Sequence, residues 1–124
     1  MERNALMNLW KETERDLLRF GKTWNDVVTV AGNLFRISKE QFKELAQKTN
    51  YDKGYGAPEI ATDLKIIGSN WWLERHEYDG SEWWEYKTMP DIDLPLKSVE
   101  RLSVEGTDEC GWKSLNELNG GTDE

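Results

Sequence analysis

Residues 71–87 read Trp71-Trp72-Leu73-Glu74-Arg75-His76-Glu77-Tyr78-Asp79-Gly80-Ser81-Glu82-Trp83-Trp84-Glu85-Tyr86-Lys87. Two aromatic-rich runs flank Asp-Gly, one of the dipeptides that readily take positive φ at both centres of a two-residue hairpin turn. Such a turn pairs Tyr78 with Ser81, Arg75 with Trp84 and Leu73 with Tyr86. Side chains alternate between faces along a strand. Trp71, Leu73, Trp84 and Tyr86 therefore share one face, with Arg75 among them. Trp72, Glu74, His76, Trp83, Glu85 and Lys87 take the other. A three-residue loop with Gly80 in a bulge would shift the register by one and mix the faces. The two-residue loop is preferred because it segregates a mostly apolar face.

Upstream, Asp63–Ile67 alternates as a strand, and Gly68-Ser69-Asn70 turns the chain into the hairpin. The first fifty residues read as helical. Leu6, Leu9, Trp10, Thr13, Leu17 and Phe20 recur at three- and four-residue steps, with Lys11, Glu12, Arg15, Asp16 and Arg19 largely on the opposite side. Gly21 is a stop signal. A short second helix is expected from Thr23 to near Gly32, carrying Trp24, Val27, Val28 and Val30. Leu34–Ile37 reads as a brief extended piece. Ser38-Lys39-Glu40-Gln41 then forms a capping box, with Ile37 and Phe42 as a hydrophobic staple, and opens a helix to about Thr49. Downstream, Pro90 and Pro95 bracket a loop, Ser98–Val104 reads as a further strand, and Trp112–Leu118 as a short closing helix. The fold class is therefore α+β, with N-terminal helices packed on a small antiparallel sheet centred on the hairpin. One domain is expected over 1–118, helical in 1–50 and sheet-rich in 57–118, followed by a disordered tail at 119–124.

The chain has 124 residues, 37% of them apolar, which suits one small core. One Cys and one His exclude an internal disulfide and the usual Cys/His zinc site. No run approaches the length of a membrane span, and the N-terminus lacks the apolar run of a signal peptide, so a cytoplasmic protein is expected. Residues 1–50 carry 9 Lys and Arg against 7 Asp and Glu, and residues 51–124 carry 7 against 17. So acidic a second half disfavours nucleic acid and favours a protein with a basic surface.

Catalytic readings are weak. His76 stands mid-strand with no nucleophile motif elsewhere, and Cys110 lies beside Asp108 and Glu109, without a cation to activate it. Glu74 and Glu85 oppose each other on one flat sheet, which leaves no cleft for a sugar between them. Asp91 and Asp93 read as solubilising, with no metal or other cofactor expected. Three lysines, Lys39, Lys43 and Lys48, do not make a DNA-reading helix. Two readings of the outer tryptophans stay open: a sheet covered on both faces, by the helices on one side and the C-terminal segment on the other, or a candidate site for a partner protein. Trp72 and Trp83, set among Glu74, Glu85 and Glu82, have the composition of a protein-binding hot spot.

The 71–87 run resembles small uncharacterised proteins encoded by phages and prophages of Gram-positive bacteria. The resemblance extends through Ala57–Gly68 and more loosely to Ser38–Tyr51. It implies an accessory phage gene product expressed in a bacterial host, and no reaction chemistry. The expected function is non-enzymatic: binding and modulating a host or phage protein, with an anti-CRISPR-like or DNA-mimic inhibitor as the specific version. The alternatives are a phage structural or assembly adaptor that self-associates through its aromatics, and a carbohydrate-binding module stacking sugars on Trp72 and Trp83.

Overall fold

The computed structural model describes residues 6–52 and 56–121. Its contacts group the chain into two compact units, Met1–Pro90 and Asp91–Glu124, where length suggested one domain over 1–118. The first unit is α+β. In chain order it runs β1 (Met7–Asn8), α1 (Leu9–Arg19), β2 (Thr29–Ala31), β3 (Arg36–Ile37), α2 (Lys39–Gln47), β4 (Asn50–Tyr51), β5 (Lys65–Ile67), β6 (Trp71–Tyr78) and β7 (Ser81–Thr88). Strands β3-β2-β5-β6-β7 form one antiparallel five-stranded sheet in that order, and β1 pairs with β4 in a separate ribbon.

The hairpin takes the two-residue register, with Tyr78 opposite Ser81, Arg75 opposite Trp84 and Leu73 opposite Tyr86. Asp79 and Gly80 have φ of 51° and 88°, the positive pair a type I′ turn requires. A β-branched side chain is poorly tolerated there. Gly80→Val should lower stability by about 1–2 kcal/mol, read as a lower urea midpoint at unchanged slope.

Helix α1 begins at Asn8, whose Oδ1 accepts from the Lys11 N–H at 3.1 Å, and ends in a Schellman turn. There Gly21 stands at φ 74°, and the Lys22 and Gly21 amides donate to the Leu17 and Leu18 carbonyls. Helix α2 begins at Ser38, whose Oγ accepts from the Gln41 amide at 3.0 Å. The Asn8 side-chain amide donates to Gln47 C=O and Asn50 Oδ1, which ties the start of α1 to the end of α2. Both helices cover one face of the sheet. Leu9, Trp10 and Leu17 of α1 and Phe42 and Ala46 of α2 join Val30, Ile66, Trp71, Leu73 and Trp84 in a single core.

Four sequence expectations are corrected. The segment after Thr23 is a single 3₁₀ turn, Trp24–Asp26, followed by strand β2 rather than a helix. The β-branched run Val27-Val28-Thr29-Val30 fits a strand better, and pairing with β5 buries Val30 completely. Glu12 and Asp16 are buried, not on the solvent side of α1. They complete the 9, 12, 13, 16, 17 stripe, which is the spacing of a core-facing helix surface. Ser98–Val104 forms no strand, and the Glu100 and Arg101 amides donate instead to Asn119 Oδ1. Asn119 also donates to the Arg101 and Leu115 carbonyls, so it is a bonded residue of the second unit and not part of a tail. Residues 122–124 of the expected tail lie outside the described residues.

The second unit holds one short helix, α3 (Leu115–Leu118), with a reciprocal capping box between Ser114 and Glu117. None of residues 91–121 is buried. Ile92, Leu94, Leu96, Leu102 and Trp112 are among its exposed side chains, Leu96 and Trp112 completely so. Among the described residues, no helix is long and apolar enough to cross a membrane.

Candidate partner-binding face

The five candidate residues fall on both faces of the hairpin. Trp72, Glu74, Trp83 and Glu85 stand on the outer face, away from the helices, together with His76 and Lys87. All six are half-buried. Two rows cross the sheet there. Thr29, Ile67, Trp72 and Lys87 form one, and Ala31, Lys65, Glu74 and Glu85 the other.

On each strand a tryptophan binds the glutamate two residues on. The Trp72 indole N–H donates to Glu74 Oε1, and the Trp83 indole N–H to Glu85 Oε2, both at 2.6 Å. His76 Nε2 lies 2.7 Å from Glu74 Oε2, and Lys87 Nζ lies 3.9 Å from Glu85 Oε1. The indole bond, then the His76 contact, hold the Glu74 carboxyl below its ordinary range. A carboxyl held low in the folded state stabilises the fold above its unfolded value. That contribution is lost as pH falls below about 4.5. These bonds also fix both rings, so little side-chain freedom remains to be lost on contact with a partner.

Glu82 does not belong to this face. It is buried on the inner side, in the same alternation as Trp84. Its Oε1 accepts from Arg75 Nη2 at 2.9 Å, and its Oε2 from the Glu59 amide at 2.6 Å. Arg75 also reaches Glu12 Oε1 at 3.4 Å and the Tyr51 hydroxyl at 3.1 Å, while Tyr51 donates to Glu12 Oε1 at 2.6 Å. The side chains of Glu12, Arg75 and Glu82 are only 0%, 3% and 3% exposed. The guanidinium lies over the Trp84 and Tyr51 rings, with its carbon 4.7 and 5.5 Å from their centroids. Trp84 in turn donates its indole N–H to Thr13 Oγ1 at 3.0 Å. One network thus pins α1, β4, β6, β7 and the 59–60 segment together. Sequence alternation placed Arg75 on the apolar face, but its partners lie as far as 63 residues away.

Burial works against the Arg75 charge, but Glu12, Tyr51 and Glu82 outweigh it and hold its pKa above the ordinary value. Burial, reinforced by the hydrogen bond to Glu12, pushes the Tyr51 phenol well above its ordinary 10.0. The folded chain therefore keeps the Tyr51 proton. Its contribution to stability is fully present below pH 10 and is lost as pH rises further. The urea midpoint should fall above about pH 10, and Tyr51→Phe should flatten that decline.

The charge divides differently from the chain halves. Residues 1–90 carry 13 Lys and Arg against 15 Asp and Glu, and residues 91–124 carry 3 against 9. The acidic excess thus belongs mainly to the second unit rather than to the hairpin. Among the described residues no group of three or more His, Cys, Asp or Glu is placed to hold a metal ion.

The class these features define is an α+β protein with one helix-covered sheet face and one aromatic, charged outer face. Comparisons with protein-family models, curated proteins and solved structures find no match to the chain.

Proposed function

We propose that this is a non-enzymatic binding protein whose outer hairpin face contacts and modulates a partner protein. The observation that carries the reading is the pair of half-buried tryptophans, Trp72 and Trp83, each held by its neighbouring glutamate on the sheet face opposite α1 and α2. Aromatic side chains fixed in this way are the anchors from which hot spots are built.

The 91–124 unit supports a basic partner. Its net charge of -6 attracts a surface of opposite sign, and its exposed Leu94, Leu96, Leu102 and Trp112 offer further apolar contacts. Placing that partner in a bacterial host or its phage rests on the sequence resemblance alone. Within this reading, the outer face suits an aromatic contact better than imitation of DNA. Mimicry needs free, regularly spaced carboxylates, and Glu74 and Glu85 are engaged by Trp72, His76, Trp83 and Lys87.

The test is affinity capture from a Gram-positive host lysate on the immobilised full chain, beside the Trp72→Ala/Trp83→Ala variant. A protein held by the wild type at low salt, released as salt rises and lost in the variant is expected. Equal capture by both chains, or capture of nothing, would remove the face from consideration.

A further inference from the structure

Strand β7 is an edge strand of the five-stranded sheet and, with β6, its longest member. Its backbone polarity can be read from both ends. Met89 N–H donates to Asn70 C=O at 2.9 Å, and Tyr78 and Ser81 close the two-residue turn. Antiparallel pairs alternate between hydrogen-bonded and non-bonded. Ser81, Trp83, Glu85 and Lys87 therefore bond to β6, and Glu82, Trp84, Tyr86 and Thr88 direct their N–H and C=O groups off the sheet. Among the described residues no backbone hydrogen bond reaches those outward groups. The usual guards of an edge are a proline, a bulge or several charges. Here β7 has no bulge from Thr88 to Ser81 and no proline before Pro90; its charges are the buried Glu82, paired with Arg75, and Glu85 and Lys87 on the outer face.

The outer face of this edge is self-complementary in charge. Glu85 and Lys87 alternate there, with side chains 38% and 41% exposed. Glu85 stands opposite Glu74, a like-charge cross-strand pair that opposes folding. The row is Lys65, Glu74, Glu85, and it stops at the edge with no cation after Glu85.

We infer that β7 pairs antiparallel with β7 of a second copy, about a two-fold axis through Tyr86. Tyr86 then faces Tyr86 of the second copy, and Trp84 faces Thr88, which joins the outward backbone groups into one ladder. In that register Glu85 lies directly opposite Lys87 of the other chain, twice by symmetry. Each acidic pair becomes the middle of a row Lys65-Glu74-Glu85-Lys87, closed by a cation at both ends. Centring the axis on Glu85 would oppose two glutamates, and centring it on Trp84 would set Glu85 against Trp83. The Tyr86 register alone among these three matches opposite charges. On the inner face it brings together two aromatic stacks, since Tyr86 lies 4.3 Å from the ring of Phe20, itself 37% exposed. The pairing rests on the β7 edge with the Glu85 and Lys87 charges, and it requires no partner contact by Trp72 or Trp83.

Sedimentation velocity of the full chain over a concentration series tests it. The expected species at high concentration has twice the 14.5 kDa of one chain. Thr88→Pro removes an outward N–H while leaving the ladder to β6 intact, and should abolish the dimer without lowering the melting temperature appreciably. Lys87→Glu or Glu85→Lys alone should weaken it about tenfold or more, by setting like charges opposite each other twice. The double change Glu85→Lys/Lys87→Glu restores opposite charges across the axis and should recover the dimer. A monomer at every concentration would overturn the inference. So would a dimer indifferent to Thr88→Pro, or one that the single charge reversals leave unweakened, since these place the contact elsewhere or in another register.

Discussion

Arg75→Met should cost about 3–5 kcal/mol, a large share of the stability of a small domain. The cause is not the loss of attraction alone. Glu12 and Glu82 are buried and would lose the guanidinium that lies between them. Tyr51 would lose a donor to its hydroxyl, and Trp84 the guanidinium stacked over its ring. One Glu12 oxygen, Oε2, already has no hydrogen-bond partner among the described residues, so the site has little capacity to absorb a further loss. Neutralising the carboxylates as well, in Glu12→Gln/Arg75→Met/Glu82→Gln, should recover part of the deficit. Gln is chosen at 82 because its carbonyl can still accept from the Glu59 amide, which Leu could not do. Urea unfolding of the wild type, the single and the triple variant decides it. If Arg75→Met unfolds within about 1 kcal/mol of wild type, the network is incidental to the fold.

The hairpin and its register were legible because two independent signals agree there: the Asp-Gly turn chemistry and the alternation that gathers Trp71, Leu73, Trp84 and Tyr86 on one face. The α2 cap was legible for the same reason, a side-chain chemistry tied to a fixed spacing. Residues 24–30 misled because Trp24, Val27, Val28 and Val30 match helical spacing while their β-branched side chains prefer a strand. Pairing with β5 decided the matter, and pairing is a non-local property. The ionic core was half legible. Alternation put Arg75 among apolar residues, and the same alternation puts Glu82 beside Trp84. The helix stripe puts Glu12 beside Leu9 and Thr13. Sequence reading nonetheless put Glu12 on the solvent side of α1 and Glu82 among the partner-binding residues, and only the approach of α1 to β6 and β7 makes them a set with Arg75. The outer face was legible as a list of residues. The two indole–carboxylate bonds depend on rotamers, which no spacing specifies.

The two faces of the hairpin should respond differently to the loss of an aromatic ring. Trp84→Ala removes a buried indole from between Thr13 and the Arg75 guanidinium, and leaves the Thr13 hydroxyl without that donor. A cost of about 3–5 kcal/mol is expected, from lost burial and the cavity left behind. Trp72→Ala and Trp83→Ala act on half-buried rings whose N–H groups bond to Glu74 and Glu85, carboxylates that water can solvate once the indole is gone. Each should cost about 1 kcal/mol or less in stability. If the outer face is a contact surface, each should also remove roughly 2 kcal/mol or more of partner affinity. Loss of the Trp72 bond should, in addition, let the Glu74 carboxyl rise toward its ordinary value, because that bond is the main cause of its depression. Carbon-detected titration of Glu74 by NMR would therefore report the broken contact independently of any partner. Should Trp72→Ala and Trp83→Ala unfold the chain as severely as Trp84→Ala, both faces of the sheet serve as core, and the contact surface must be the exposed apolar, acidic unit of residues 91–121.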